Sequence, residues 1–368
     1  MKIAFLGIKG LPSKGGAERV VEAIVHRLKS KHEITVFASN LYTSKNTHLP
    51  GLNLVHIPCL PGKHFHALSY FIISALHALF IGGYDFVHIH NAEACFVVPL
   101  LRLRYCVIAT AHGPAYERQK WGVLAKALIR TLDYFFIKFP NSLTSVSLPM
   151  AELYKKKWNQ AVLYIPNGVD VSLPIDVHAA TALLSKTGIT RPYLLFSAGR
   201  IDGTKGCHTV IEAFKAIDTS LNLVVVGDTQ TDPVYGDRLK NAAKSDSRIH
   251  FIPFVADKGV LFGIVANAKL FIFPSEVEAM SMALLEAASL GMPIICSDIP
   301  ANTSVLKNEH ALFFQTGNVD DLRSKIKWAV AHADEMEELG KRAQLWVKKE
   351  FNWDNISEQY DSLYKNFM

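Results

Sequence analysis

What most limits how this chain can fold is an alternation, run through twice, of short apolar strands with helical stretches. Lys2-Ile-Ala-Phe-Leu-Gly7 reads as a first strand. Ala17 to Lys29 reads as the helix after it, with Val20, Val21, Ile24, Val25 and Leu28 at helical spacing. His32 to Ala38, Leu52 to Ile57, Phe86 to His90 and Cys106 to Ala111 are strand-like in turn. Parallel strands joined by crossover helices fit this order. The pattern restarts with a strand at Tyr193 to Ala198, a helix at Gly206 to Ala216 and a strand at Leu221 to Val226 that ends on Gly227. Arg248 to Ile252, Lys269 to Phe273 and Pro293 to Ser297 are further strands, and Ser281 to Leu290 is a helix. Two successive doubly wound units, 1–172 and 173–349, accommodate this better than one large sheet. Pro166-Asn-Gly-Val-Asp170 is turn-forming near their boundary, and Asp170 to Pro192 reads as a hinge region. The tail, 350–368, is helical again. Its aromatic residues Phe351, Trp353, Tyr360, Tyr364 and Phe367 need cover and are expected to pack back on the first unit.

Composition removes other classes. A chain of 368 residues holds two domains at roughly 150 residues each. With 49% hydrophobic and 20% charged residues it is too apolar to be disordered. The most apolar region, Ala67 to Gly82, is broken by His77 and ends in Gly82-Gly83, short of the ~18–20 residues of a spanning helix. It predicts a buried helix of an α/β domain. The N-terminus runs straight into a strand without a secretory leader pattern. The 5 cysteines are scattered, without Cys-x-x-Cys, which argues against a disulfide framework or zinc ribbon and for the reducing cytoplasm. Charge is uneven. Residues 1–170 hold 19 Lys+Arg and 9 Asp+Glu (19 − 9 = +10), and residues 171–368 hold 20 and 24 (20 − 24 = −4). A basic first half points to an anionic partner such as phosphate or an acidic membrane surface. No nucleic-acid motif accompanies it.

Four segments gather residues able to do chemistry. Gly7-Ile-Lys-Gly10-Leu-Pro-Ser-Lys-Gly15-Gly16-Ala-Glu18-Arg19 places a Gly-rich loop before a helix N-terminus, although it is not G-x-G-x-x-G. Backbone N–H groups there can meet an anion; a tight turn needing positive φ accounts for the same residues. Gly199-Arg200-Ile-Asp-Gly-Thr-Lys205-Gly206 follows the first strand of the second half, at a strand end where open parallel sheets bind ligands. Arg200 offers a planar fork and Lys205 a point charge, both suited to a pyrophosphate; two solvated cations are the plainer alternative. In Pro274-Ser-Glu-Val-Glu278-Ala-Met-Ser-Met-Ala-Leu-Leu-Glu286-Ala, Glu278 sits on a loop and Glu286 on the helix that loop opens, so both can face one cleft. The turn at Met280, Ser281 and Met282 presents N–H groups to a sugar or phosphate oxygen, and a carboxylate suits a ribose diol. A solvated acid with a helix-dipole partner is the alternative. The fourth segment is His112-Gly-Pro-Ala-Tyr-Glu117-Arg118-Gln-Lys120-Trp121, with His112 at a strand end. His88-x-His90 and His64-x-His66 have no third ligand nearby and read more economically as structural than as metal sites.

In their order and spacing these segments resemble the retaining glycosyltransferases of family 4, which have the GT-B fold, over nearly the whole chain. The resemblance rests on Gly15-Gly16-Ala-Glu18, Tyr84-Asp85-Phe-Val-His-Ile-His90-Asn91, His112-Gly113, Ile165-Pro-Asn-Gly-Val-Asp170 and Gly199-Arg200 with Lys205-Gly206. It continues through Glu278 to Glu286, Gly291-Met-Pro-Ile-Ile-Cys-Ser-Asp298 and Phe351-Asn-Trp353. It implies an α/β protein of two Rossmann-like domains facing a central cleft, the first on the acceptor side and the second binding a nucleotide-sugar donor. Arg200 and Lys205 would then hold the donor pyrophosphate, and Glu286 the ribose hydroxyls. Glu278 and the Met280–Met282 amides would face the transferred sugar. Gly15 and Gly16 would pass close to the diphosphate, and His112 would contact the sugar near the reacting carbon. His112, Glu278, Arg200 and Lys205 form the implied catalytic set. No cofactor and no essential metal are implied. Glu117, Arg118 and Lys120 are similar to acceptor-side residues of members that build bacterial surface polysaccharides. Two departures stand out: Ala279 where a Gly is usual, and the Asp202-Gly-Thr204 spacer.

The implied activity is transfer of a sugar, from a UDP-sugar first of all, to a hydroxyl of a glycan or polyprenyl-diphosphate-linked acceptor. Capsule, O-antigen or exopolysaccharide biosynthesis would be its setting, at the cytoplasmic face of the membrane. Trp121 to Phe139 mixes Lys126, Arg130 and Lys138 with apolar residues, so it is expected either to lie on an anionic membrane or to be a core helix with exposed cations. A nucleotide-sugar epimerase, or a non-catalytic partner in polysaccharide assembly, are the alternative readings.

Overall fold

The structure is a computed structural model and describes residues 1–62, 65–113, 123–190 and 192–367, with backbone alone for 123–130. It separates into two compact units, Met1–Gly168 with Trp353–Met368, and Val169–Asn352. The divisions thus fall at 168/169 and 352/353 rather than at the expected 172/173 and 349/350. Val169 and Asn352 bridge to one another in parallel, and the Val169 N–H donates to the Phe351 carbonyl at 2.7 Å, which ties both into the second unit. Trp353 instead covers Gly168, where an added Cβ would meet its ring at 2.7 Å.

The first unit contains β1 (Lys2–Leu6), α1 (Gly16–Leu28), β2 (Glu33–Ser39), β3 (Asn53–Ile57), α2 (Phe65–Ile81), β4 (Phe86–His90) and α3 (Val98–Leu101). β5 (Cys106–Ala111), α4 (Val123–Lys138), β6 (Ser142–Ser145), α5 (Leu148–Trp158) and β7 (Leu163–Tyr164) follow. The second contains α6 (Val177–Lys186), β8 (Tyr193–Arg200), α7 (Cys207–Lys215), β9 (Asn222–Asp228), α8 (Pro233–Ala243), β10 (Ile249–Ile252), α9 (Lys258–Ala266) and β11 (Leu270–Phe273). It continues with α10 (Met282–Ser289), β12 (Ile294–Ser297), α11 (Pro300–Thr303), β13 (Leu312–Phe314), α12 (Val319–Ala331) and α13 (Ala333–Glu350). α14 (Trp353–Lys365) returns to the first unit, so the tail helix begins at Trp353, and Glu350 ends the helix before it.

Each unit is a parallel sheet, in the order β3-β2-β1-β4-β5-β6-β7 and β10-β9-β8-β11-β12-β13. In both, the order reverses at one place, between β1 and β4 and between β8 and β11. Such a reversal opens a crevice at the carboxyl ends of the strands. Strands buried on both faces explain the unbroken apolar runs: Phe86–His90 is buried throughout, and so is Leu270–Phe273. In α1 the inward stripe is Val20, Val21, Ile24, Val25 and Leu28.

α14 closes the first core. Tyr360 and Tyr364 are fully buried, with ring centroids 5.5 and 5.8 Å from His88. The buried Asp361 carboxylate lies 2.7 Å from His32 Nε2 and 2.9 Å from Lys365 Nζ. Burial alone would raise that carboxyl, but the bonds from Lys365 and His32 outweigh it and hold it below its ordinary value.

α2 departs from expectation. It is a helix, but not a buried one: Tyr70, Ser74, Ala75 and Ala78 face the core, whereas Leu68, Ile72, Leu76, Phe80 and Ile81 are exposed. Being apolar all round, it gave no polar face from which its orientation could be read. The described half of the Trp121–Phe139 stretch has the features of the core-helix alternative. Phe136 and Ile137 are buried in the core, which leaves Tyr134 and Lys138 facing out.

Candidate active site

In the second unit the chemistry gathers at the carboxyl ends of β8 and β11, neighbours at the reversal. β8 runs to Arg200, whose side chain is exposed. Asp228 lies opposite Arg200 in register, but its carboxylate accepts from the Thr231 hydroxyl and the Gln230 N–H, each at 2.8 Å. Those bonds hold it below its ordinary pKa. The chain then makes one tight turn, Gly203–Lys205, capped by Asp202, which accepts the Thr204 N–H at 3.0 Å. That gives the unusual spacer a structural role. Gly206 ends the turn at φ +66°, and a Cβ there would meet the Pro274 carbonyl at 2.2 Å. Only glycine permits both that backbone and that approach.

The approach joins two loops far apart in sequence. Glu276 N–H donates to Thr204 O at 2.8 Å. Lys205 Nζ lies 2.6 Å from Glu278 Oε1, and the Ser275 hydroxyl donates to the same oxygen at 2.8 Å. Side-chain exposures of 22% and 13% make this a partly buried pair. Ser281 caps α10, its hydroxyl accepting the Leu284 N–H at 3.4 Å, with Met280 buried and Met282 half-buried beside it. Glu286 lies inside that helix and is buried, 3.5 Å from Lys258 Nζ on the first turn of α9. Thus Lys205 and Glu278 meet, Arg200 shares the first loop, and Glu286 lies on the helix that the second loop opens. Sequence reasoning missed Lys258 and Ser275. Ser275 was adjacent to a named acid and could have been found, whereas Lys258 lies 28 residues from its partner in a different segment.

In the first unit, Gly15 caps α1 with extended backbone and Gly16 is its first residue. A Cβ on Gly15 would meet Glu18 Oε2 at 2.4 Å, whereas one on Gly16 would meet nothing within 4 Å. Glu18 is buried and turns back to accept the Lys9 N–H at 3.2 Å, and Glu22 accepts the Ser13 hydroxyl at 2.5 Å. Two helix carboxylates therefore pin the loop, a device that motif spacing did not disclose. His112 follows β5, its Nε2 2.8 Å from His90 Nδ1 with the rings stacked. His88 and His90 are fully buried, and His88 hydrogen-bonds the Tyr364 and Thr110 hydroxyls, both at 2.7 Å. Burial first, then the neighbouring His112, pushes His88 down to about 3. Burial, then His88 and His112, holds His90 well below its ordinary value. Both rings are neutral structural members of the core. Glu117, Arg118 and Lys120, like Trp121 and His64, lie outside the described residues.

Two parallel doubly wound sheets, with candidate residues following the carboxyl ends of their strands, define a GT-B protein. Solved structures share that fold over the whole chain. Sucrose-phosphate synthase from Thermosynechococcus elongatus matches with a TM-score of 0.83 and 20% identity, covering 100% of this chain and 98% of that one. Anabaena HepE in complex with UDP and glucose matches with a TM-score of 0.82 and 18% identity, covering 100% of both. Residues 14–173 match the family model described as Glycosyltransferase Family 4, and residues 181–346 that described as Glycosyl transferases group 1. The chain belongs to these glycosyltransferase families, Family 4 through its first half and group 1 through its second.

Among curated relatives, a capsular polysaccharide biosynthesis glycosyltransferase, CapM of Staphylococcus aureus, is 23% identical over 180 residues. The UDP-Gal:alpha-D-GlcNAc-diphosphoundecaprenol alpha-1,3-galactosyltransferase of Escherichia coli is 28% identical over 243 residues. The matches cover 48% and 61% of this chain, and span 47% and 61% of those relatives' own lengths.

Proposed function

We propose that the protein transfers a sugar from a nucleotide-sugar donor, a UDP-sugar foremost, to a hydroxyl of a glycan or lipid-diphosphate-linked glycan in surface polysaccharide synthesis. The observation that carries this is the convergence of Lys205 and Glu278 at the second sheet's reversal, with buried Glu286 on the adjoining helix. Support for the donor class comes from HepE, which holds UDP and glucose, and for the acceptor class from the name of the E. coli relative.

The charges suit the chemistry. Breaking the bond between the anomeric carbon and the diphosphate leaves positive charge on the sugar and negative charge on the leaving group. Arg200 and Lys205 are cations for the second of these, an electrostatic role that needs no metal in this proposal. Lys205 rests on Glu278 in the free protein. When a diphosphate draws it away, the Glu278 carboxylate becomes available to accept hydroxyls of the sugar. Glu286 binds the ribose diol, and the amides that open α10, with Met280 and Ser281, line the sugar side. His112 and the Gly15–Gly16 turn keep the sugar and diphosphate roles that the family resemblance gives them. Transfer proceeds with retention, on one face, the departing phosphate oxygen accepting the proton of the acceptor hydroxyl as the new glycosidic bond forms.

The test is a thermal-shift screen over UDP-, GDP- and dTDP-sugars, followed by transfer assays with the stabilising donor. Binding to the native state alone raises the midpoint in proportion to affinity. Selective stabilisation by one nucleotide class, lost in Lys205→Ala while the fold persists, is expected. No stabilisation by any of them, or normal turnover in Lys205→Ala, overturns the proposal.

A further inference from the structure

α2 contains no Asp, Glu, Lys or Arg between Phe65 and Ile81, yet only one of its faces is covered. The outward residues Phe65, Leu68, Ile72, Leu76 and Phe80 follow one another at steps of 3, 4, 4 and 4. At ~100° per residue they fall within an arc of about 120°, a continuous apolar stripe about 22 Å long. Their exposure runs from 39% at Leu76 to 80% at Phe80. Soluble surfaces seldom leave such a stripe open without a partner.

The C-terminal end of this stripe is marked by charge. Tyr105 OH donates to the Ala78 and Gly82 carbonyls at 2.6 and 3.0 Å, and the Arg104 guanidinium donates to the Leu79 carbonyl. The turn 102–105 is thereby fastened to the end of α2. It carries Leu103, 78% exposed, between Arg102 and Arg104. Arg102 donates to the Phe139 carbonyl at 3.0 Å, and neither arginine forms an ion pair among the described residues. Carbonyls leave their positive charge in place. The missing partner is therefore apolar along the helix and anionic at its end. A second copy meeting the stripe with its own α2 and turn would bring more cations and no acid. An anionic lipid surface supplies both requirements, acyl chains for the stripe and head groups for the arginines. Among the described residues no helix is long and apolar enough to cross a membrane.

We propose that α2 and the 102–105 turn form the face by which the first unit docks, without insertion across it, on an anionic lipid bilayer. The proposal rests on the lipid-linked acceptor reading and names the docking element, α2 rather than the 121–139 stretch.

The test is flotation of the full chain with vesicles of phosphatidylcholine alone and of phosphatidylcholine with 30% phosphatidylglycerol. Binding to the anionic vesicles, weakened by added salt, is expected. Ile72→Glu with Leu76→Glu should abolish it. Arg102→Gln with Arg104→Gln, which removes two positive charges, should weaken partitioning by roughly 10- to 30-fold. All four positions are outside the donor-binding residues, so each variant is checked by circular dichroism and by the donor thermal shift. Absence of wild-type binding, or binding indifferent to the α2 variant, overturns the proposal. So does a dimer in analytical ultracentrifugation that the α2 variant dissociates. Vesicle binding without any nucleotide-sugar stabilisation defeats the transferase reading and leaves the docking face standing. Stabilisation without vesicle binding does the reverse.

Discussion

Replacing Glu278 by glutamine should strengthen the binding of UDP while weakening sugar transfer, two effects of opposite sign from one change. In the free protein Lys205 lies 2.6 Å from Glu278, a separation at which two unit charges interact by about 6 kcal/mol at an effective dielectric of about 20. Desolvation and side-chain ordering cancel most of that, and a partly buried pair retains a net value of about 1–2 kcal/mol. A diphosphate must overcome this to recruit Lys205. A neutral amide no longer holds the ammonium, so in Glu278→Gln the Kd for UDP should fall about 5- to 30-fold. Lys205→Ala should raise it about 10- to 150-fold, the loss of one charge-assisted hydrogen bond. Isothermal titration of UDP against wild type, both single variants and the double variant closes the cycle. The reasoning requires that the Glu278→Gln gain vanish when Lys205 is absent. An equal gain in the Lys205→Ala background would mean that Glu278 merely repels the nucleotide, and no gain at all would mean that the pair does not gate the site.

Acid should weaken the first unit. The folded pKa values of His88 and His90 lie below that of a free histidine, near 6.5. The stability they contribute is therefore complete above pH 6.5 and falls with pH, for His88 by about 2 kcal/mol at pH 5. Urea midpoints across pH 5–8 should reveal it, and His88→Phe should remove about one proton from the slope; an unchanged slope would contradict the assignment. Gly206→Ala forces a left-handed alanine against the Pro274 carbonyl and should cost about 2–4 kcal/mol in thermal unfolding of the second unit, where an unaltered midpoint would refute the constraint. His90→Leu removes the 2.8 Å contact that orients His112, so turnover should drop about 10- to 100-fold while the donor thermal shift persists. Equal loss of both would mean only that the core had been damaged.

How much of this was legible in the residues depends on how local the cause was. β4 and β5 coincide with their sequence-read bounds because Asp85, Asn91, Tyr105 and His112 flank apolar runs that are covered on both faces. β6, Ser142-Leu-Thr-Ser145, gave no such signal. Its buried Thr144 hydroxyl meets that of Thr110 on β5 at 2.5 Å, a contact across strands that are far apart in sequence. Lys205 and Glu278 each read as loop residues after a strand, but their contact spans 73 positions. It follows from β8 and β11 being neighbours, which only the strand order discloses. Lys258 beside Glu286 was hidden because the two lie on different helices 28 positions apart, whereas Glu18 bonds the Lys9 N–H only nine positions away, a contact that residue spacing alone does not reveal.

The helix that completes the first unit is made only after the whole of the second unit. A nascent polypeptide halted after Asn352 already possesses every residue of the second unit, whereas β4 still lacks Tyr360 and Tyr364 over His88. The first unit is thus begun before the second and completed after it, and in the interval its half-finished interior lies exposed.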